Sequence, residues 1–155
     1  MVKLNHNMQI EKLAIIGIGS ELRRDDAIGI IIIRKLKDEV INDKVAILEG
    51  GTTPENLSGV LRKFQPSHIL LVDAAEVGQA PGEFAMVDPK DIKGMGLSTH
   101  SFSLATIADY FKEIAAAEVL FLGIQPQEST FGEATSPELQ RAVGPVIQKV
   151  REFLP

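Results

Sequence analysis

Cysteine is missing from this chain of 155 residues. No disulfide, thiolate metal centre or cysteine nucleophile is therefore available. Any bound metal has to be held by carboxylate, imidazole or carbonyl groups. Long apolar runs are also missing: none approaches the ~18 residues of a membrane span. Positive charge is in deficit, with 16 Lys and Arg against 21 Asp and Glu. The resulting net charge of -5 argues against nucleic acid, which rewards a basic face. The opening Met1-Val2-Lys3-Leu4-Asn5-His6-Asn7 has no apolar core of the kind a signal peptide carries, so a cytoplasmic location is expected. No repeat, low-complexity tract or linker interrupts the chain. One domain over residues 1–155 is expected, with 1–11 as a loose arm.

What is present is a series of short apolar segments separated by turn residues. Strands are expected near 13–18, 45–48, 68–75, 82–87 and 118–124. The run Ile28-Gly29-Ile30-Ile31-Ile32-Ile33 has strand propensity in isolation. It is nevertheless read as a helix through about Lys37, because Ile28, Ile31, Ile32 and Leu36 share one face and two aspartates lead it. Further helices are expected over 55–64, over 103–115, and from Pro137 onward with Ser136 as N-cap. Leu139, Val143, Val146, Val150 and Phe153 would form the buried face of the last. The order βαβαββαβα predicts an α/β fold: one domain built on a twisted mixed sheet of about five strands with helices on both faces.

Three positions stand out at the carboxyl edge of that sheet, where open α/β folds place their ligands. They are Asp26 in the loop after the first strand, Asp73 at the end of the third, and His100 before a helix. Two carboxylates and an imidazole suit a borderline divalent cation and leave coordination positions open for substrate. Each also has a plainer reading. Asp25 and Asp26 suit a helix start, Asp73 suits a turn cap, and His100 lies in a serine-rich loop. His6 and His68 have weaker claims, one in the arm and the other at the amino end of its strand.

Other site types fit less well. Gly17-x-Gly19 follows a strand and Glu49 ends the next, as in a dinucleotide site, but Leu22 stands where the third glycine belongs. No G-x-S-x-G elbow is present for a serine hydrolase. Nothing in the spacing brings Asp25 or Asp26 against Asp73 as a proton-sharing protease dyad.

Several blocks, taken together, resemble the hydrogenase maturation proteases, over roughly residues 12–153. They are Gly19-Ser20 with Asp25-Asp26 and Gly29, Glu49-Gly50-Gly51-Thr52 with Pro54-Glu55-Asn56, and Leu71-Val72-Asp73-Ala74. Pro81-Gly82-Glu83, Asp88-Pro89, Ser98-Thr99-His100 and Leu122-Gly123-Ile124-Gln125-Pro126 continue the series. The Pro-Glu-Asn and Gly-Ile-Gln-Pro blocks are most similar to the branch serving formate hydrogenlyase-type hydrogenases.

The resemblance implies an endopeptidase that trims the C-terminal extension of a nickel–iron hydrogenase large-subunit precursor. The nickel would arrive already installed in the precursor, and other divalent cations would occupy the same ligands in vitro. Metal binding and catalysis would fall on Asp26, Asp73 and His100, with Gly50, Gly51 and Thr52 and the 90–99 loop bordering the substrate groove. A precursor- or metal-binding chaperone that does not cleave, or a nucleotide-binding domain, are the alternatives. The chain departs from the family's usual Gly-Asn at Gly19-Ser20 and from its usual acid-Gly at Asp26-Ala27. Serine keeps a hydrogen-bonding oxygen, and alanine removes any need for positive φ at position 27.

Overall fold

A computed structural model describes residues 8–40, 42–92, 103–127 and 135–155. Its strands are β1 (Leu13–Ile18), β2 (Val45–Gly51), β3 (His68–Ala74), β4 (Phe84–Val87) and β5 (Glu118–Ile124). The helices are α1 (Ile28–Glu39), α2 (Ser58–Phe64), α3 (Leu104–Ala115) and α4 (Pro137–Arg151). The strands form one sheet in the order β2-β1-β3-β5-β4. Four run parallel, and β4 pairs antiparallel with β5 at the edge. The element order and mixed five-stranded sheet match the expectation from sequence.

Every residue of β1 and β3 is buried. That explains why both read as unbroken apolar runs: a central parallel strand is covered on both faces and has no polar side to alternate. One core joins β1 and β3 side chains to α1 and α4 through Ile28, Ile32, Leu36, Leu139, Val146 and Val150. The opposite core joins the sheet to α2 and α3 through Leu61, Ile107 and Phe111. α4 differs slightly from its expected face. Ala142 and Ile147 are in the core, while Val143 packs only partly buried at its margin.

α1 resolves the conflict between the strand propensity of its isoleucines and their helical spacing. Gly29 lies against the sheet: a Cβ there would fall 2.3 Å from the Ile18 carbonyl oxygen and 2.5 Å from that of Val72. Only a glycine lets the helix come this near, and the approach buries Ile28, Ile32, Ile33 and Leu36 completely. That burial outweighs the few tenths of a kcal/mol each isoleucine loses in helix propensity.

Two local boundaries differ from expectation. Asp25 and Asp26 lie in a 3-10 turn, Arg24–Ala27, ahead of α1, whose own first turn contains no acid. Asp73 is the penultimate residue of β3, as expected. β2, expected over 45–48, continues through Gly50 and Gly51, and its register with β1 shifts between Gly17 and Ile18. Such an irregularity re-aims the strand end.

Candidate functional site

β1 and β3 are neighbours in the sheet, with Gly17 opposite Val72. β1 connects through α1 to β2 on one side, and β3 lies on its other side. The chain therefore diverges at the carboxyl end of β1, the crevice where open α/β sheets seat their ligands. Asp26 and Asp73 both belong to this crevice.

Gly19 lies between the Asp26 main chain and the Asp73 side chain. Its φ of +137 is a backbone conformation side chains rarely adopt. A Cβ there would meet the Asp26 carbonyl oxygen at 1.9 Å and would stand 3.6 Å from Asp73 Oδ1. The loop closes over itself as the Ser20 amide donates to Asp26 Oδ2 at 3.0 Å and the Asp26 amide donates to Arg23 O at 2.8 Å. Both carboxylates are almost inaccessible, each 1% exposed. Carboxylate oxygens in so dry a crevice have little access to water, and a divalent cation is one partner that suits them. The oxygen donors therefore fit a hard or borderline metal ion.

His100, the expected third ligand, lies outside the described residues, as do Ser98, Thr99 and most of the 90–99 loop. Among the described residues no three His, Asp or Glu side chains gather closely enough to hold a metal ion. His68 is buried at the amino end of β3, remote from the crevice, with Nδ1 3.0 Å from Ser67 Oγ. Glu49 does not serve as a ribose-binding acid either. Its carboxylate takes Arg34 Nε at 2.8 Å, and Arg34 also pairs with Glu21. That hydrogen bond holds the Glu49 carboxyl below its ordinary range.

The expected groove is joined directly to the acid loop, because the Gly19 amide donates to Gly51 O at 3.0 Å. Gly50, Gly51 and Thr52 thus border the crevice on the β2 side. The two sequence departures are also accommodated. Ser20 Oγ accepts from the Leu22 amide at 3.2 Å, and Ala27 sits at φ -76 with no demand for glycine.

Two residues emerge that sequence reasoning did not single out. Asp25 was expected to support the start of α1, but its carboxylate faces the other way and is fully buried. It accepts from the Gln127 amide at 2.8 Å, the Ser136 amide at 2.6 Å and Ser136 Oγ at 2.9 Å. The Ser136 side chain, expected to cap α4, is engaged by Asp25 instead. Gln125, at the end of β5, is also buried. Its Oε1 accepts from the Val77 amide at 2.9 Å while Nε2 donates to Glu76 at 2.8 Å, fixing the loop that leaves Asp73. The Gly-Ile-Gln-Pro block was the available signal for Gln125; a double aspartate gives none for the long-range role of Asp25.

Residues 30–153 match the family model described as hydrogenase maturation protease. The chain belongs to that family. The matched span takes in Asp73 and position 100 and begins just beyond Asp26. A protein of Methanocaldococcus jannaschii named for the same activity is 37% identical over 124 residues, covering 76% of this chain and 73% of its own. The hydrogenase 3 maturation protease of Escherichia coli K12 is 34% identical over 134 residues, 86% of this chain and 85% of its own. Among solved structures, the NiFe hydrogenase maturation protease HycI from Thermococcus kodakarensis superposes with a TM-score of 0.83 at 32% identity. That superposition covers 94% of this chain and 93% of the archaeal one. As a hydrogenase maturation protease the chain is a peptide hydrolase, and the buried acid pair lies where its fold seats ligands.

Proposed function

We propose that this protease removes the C-terminal extension of a nickel–iron hydrogenase large-subunit precursor, after nickel insertion, in the cytoplasm. The observation that carries the reading is the pair of buried carboxylates, Asp26 in the turn after β1 and Asp73 at the end of β3, with the Asp26 main chain and Asp73 Oδ1 both close to Gly19. Together with His100 they form an incomplete donor set, which the nickel carried by the precursor would complete. A precursor without nickel lacks that anchor, so selection rests on a difference in binding rather than on the cleaved sequence alone. When bound, the ion supplies a positive centre that can polarise a carbonyl or acidify water. The chain's own residues hold the extension near the acids, gaining from proximity, and an aspartate of the pair receives the proton of the attacking water. The Pro54-Glu55-Asn56 and Gly123-Ile124-Gln125-Pro126 blocks, with the likeness to a hydrogenase 3 protease, favour a precursor of the formate hydrogenlyase type.

Incubation with nickel-loaded and nickel-free precursor, read by the mass of the C-terminus, tests this. Only the loaded form is expected to shorten. Binding of the loaded precursor without any loss of mass would replace the protease reading with that of a chaperone.

A further inference from the structure

Beyond the acid crevice, on the α2–α3 side of the sheet, a pocket of about 440 Å³ is lined by Glu55, Asn56, Thr106, Ile107 and Tyr110. Its size falls within the ~300–1,000 Å³ range of pockets that bury a ligand. Ile107 is a buried core residue and Tyr110 is half-buried, giving the pocket an apolar wall. Glu55 brings the charge. Its Oε2 is buried and meets no hydrogen-bond donor among the described residues. No Lys or Arg is among the described lining residues. A carboxylate beside an apolar wall matches one kind of side chain: a long aliphatic stem ending in a cation. The Tyr110 ring adds an aromatic face suited to such a cation.

Backbone hydrogen bonds link the rim of the pocket to the loop that carries Asp26. The Gly19 amide is bonded to Gly51 O, the Thr53 amide to Gly50 O at 3.3 Å, and the Asn56 amide to Thr53 O at 3.0 Å. Asn56 Nδ2 also donates to Thr53 Oγ1 at 3.2 Å, tying the rim of the pocket to the β2 turn. A Cβ on Gly51 would meet no atom within 4 Å, so there is open space at this turn.

We propose that this pocket binds a lysine or arginine side chain of the precursor polypeptide, close in sequence to the bond that is cut. The inference rests on the protease reading and adds a specificity subsite to it. β2 lies two strand positions from β3, ~10 Å across the sheet. An extended peptide covers that distance in about three residues. With the added reach to the pocket, the basic residue falls roughly three to five residues from the scissile bond.

The test measures trimming of nickel-loaded precursor and, separately, its binding affinity, for the wild-type protease and for Glu55→Gln. The expected result is a rise in KM and Kd of about tenfold with kcat unchanged, as when one charge-assisted contact made equally in ground and transition states is lost. The wild-type protease is also given precursors in which each Lys or Arg within five residues of the cut is replaced by Met. One of these should reproduce the rise, which does not depend on how Glu55→Gln folds. Glu55→Arg paired with Lys or Arg→Glu at that position should recover most of the loss. Wild-type KM for Glu55→Gln, or no effect from any basic replacement, overturns the subsite. Failure of the wild-type protease to shorten loaded precursor instead overturns the protease reading, and the affinity comparison still decides the pocket.

Discussion

Replacing Asp25 with alanine should damage stability more than most substitutions in this chain. The carboxylate is fully buried and serves three donors, from Gln127 and Ser136, more than a hundred residues away in sequence. Hydrogen bonds to a charged acceptor contribute ~1.5–3 kcal/mol, and a buried donor left unmet costs ~1–3 kcal/mol. Shared over partly buried contacts, the expected loss for Asp25→Ala is about 4 kcal/mol. Asp25→Asn keeps the shape and one acceptor oxygen but turns an amide toward a donor, so about 2 kcal/mol is expected. Ser136→Ala deletes only the hydroxyl bond, about 1 kcal/mol. For a domain of this size each kcal/mol lowers Tm by ~3 °C, so Asp25→Ala should melt ~12 °C below wild type. Urea titration gives the free energies, and the Asp25→Ala, Ser136→Ala double mutant should show coupling of ~1 kcal/mol. A loss below about 1 kcal/mol for Asp25→Ala, or strict additivity in the double mutant, would refute the clasp.

Asp26→Ala, Asp73→Ala and His100→Ala should each abolish trimming of nickel-loaded precursor while the far-ultraviolet spectrum stays native; normal C-terminal masses would remove these residues from the site. Burial holds the His68 imidazole below its ordinary 6.5, with Glu118 acting in the opposite sense, so the native state favours the neutral ring. The stability this provides is full above pH 6.5 and is lost as pH falls from there through the lower native value. Urea midpoints at pH 8 and pH 5.5 should differ less in His68→Phe than in wild type. Gly29→Ala should cost at least ~3 kcal/mol, since its Cβ would meet two main-chain carbonyls that cannot swing aside; an unchanged melting curve would mean that α1 is not seated on the sheet as described.

Much of the architecture was legible because parallel α/β packing writes itself into local patterns. Buried strands such as Ile69–Val72 are continuous apolar runs, and the helices carry apolar residues at helical spacing. The isoleucine run of α1 was readable as helix only through its period, since the close approach that Gly29 allows is a tertiary fact. The 3-10 turn at Arg24–Ala27 was misplaced by a turn, because acids before an apolar helix look alike whether they stand in its first turn or just ahead of it. The placement of Asp26 in the loop after β1 and of Asp73 at the end of β3 was legible from the local pattern. Their neighbour Asp25 was not, because its partners, Gln127 and Ser136, come from a distant part of the chain and leave no local trace.

That long-range bonding bears on how the protease comes into being on the ribosome. The loop carrying Asp25 and Asp26 is made before the residues that clasp it, which lie just beyond β5 and at the start of α4. α1 is likewise covered by α4, through the shared core and an Arg151–Glu39 ion pair. A nascent chain that has emerged only as far as β5 therefore holds Asp26 on a loop that still lacks the Asp25 clasp, while Asp73 stands on β3. Docking of α4 completes that clasp, so the position of Asp26 and the seating of the C-terminal helix are tied to each other.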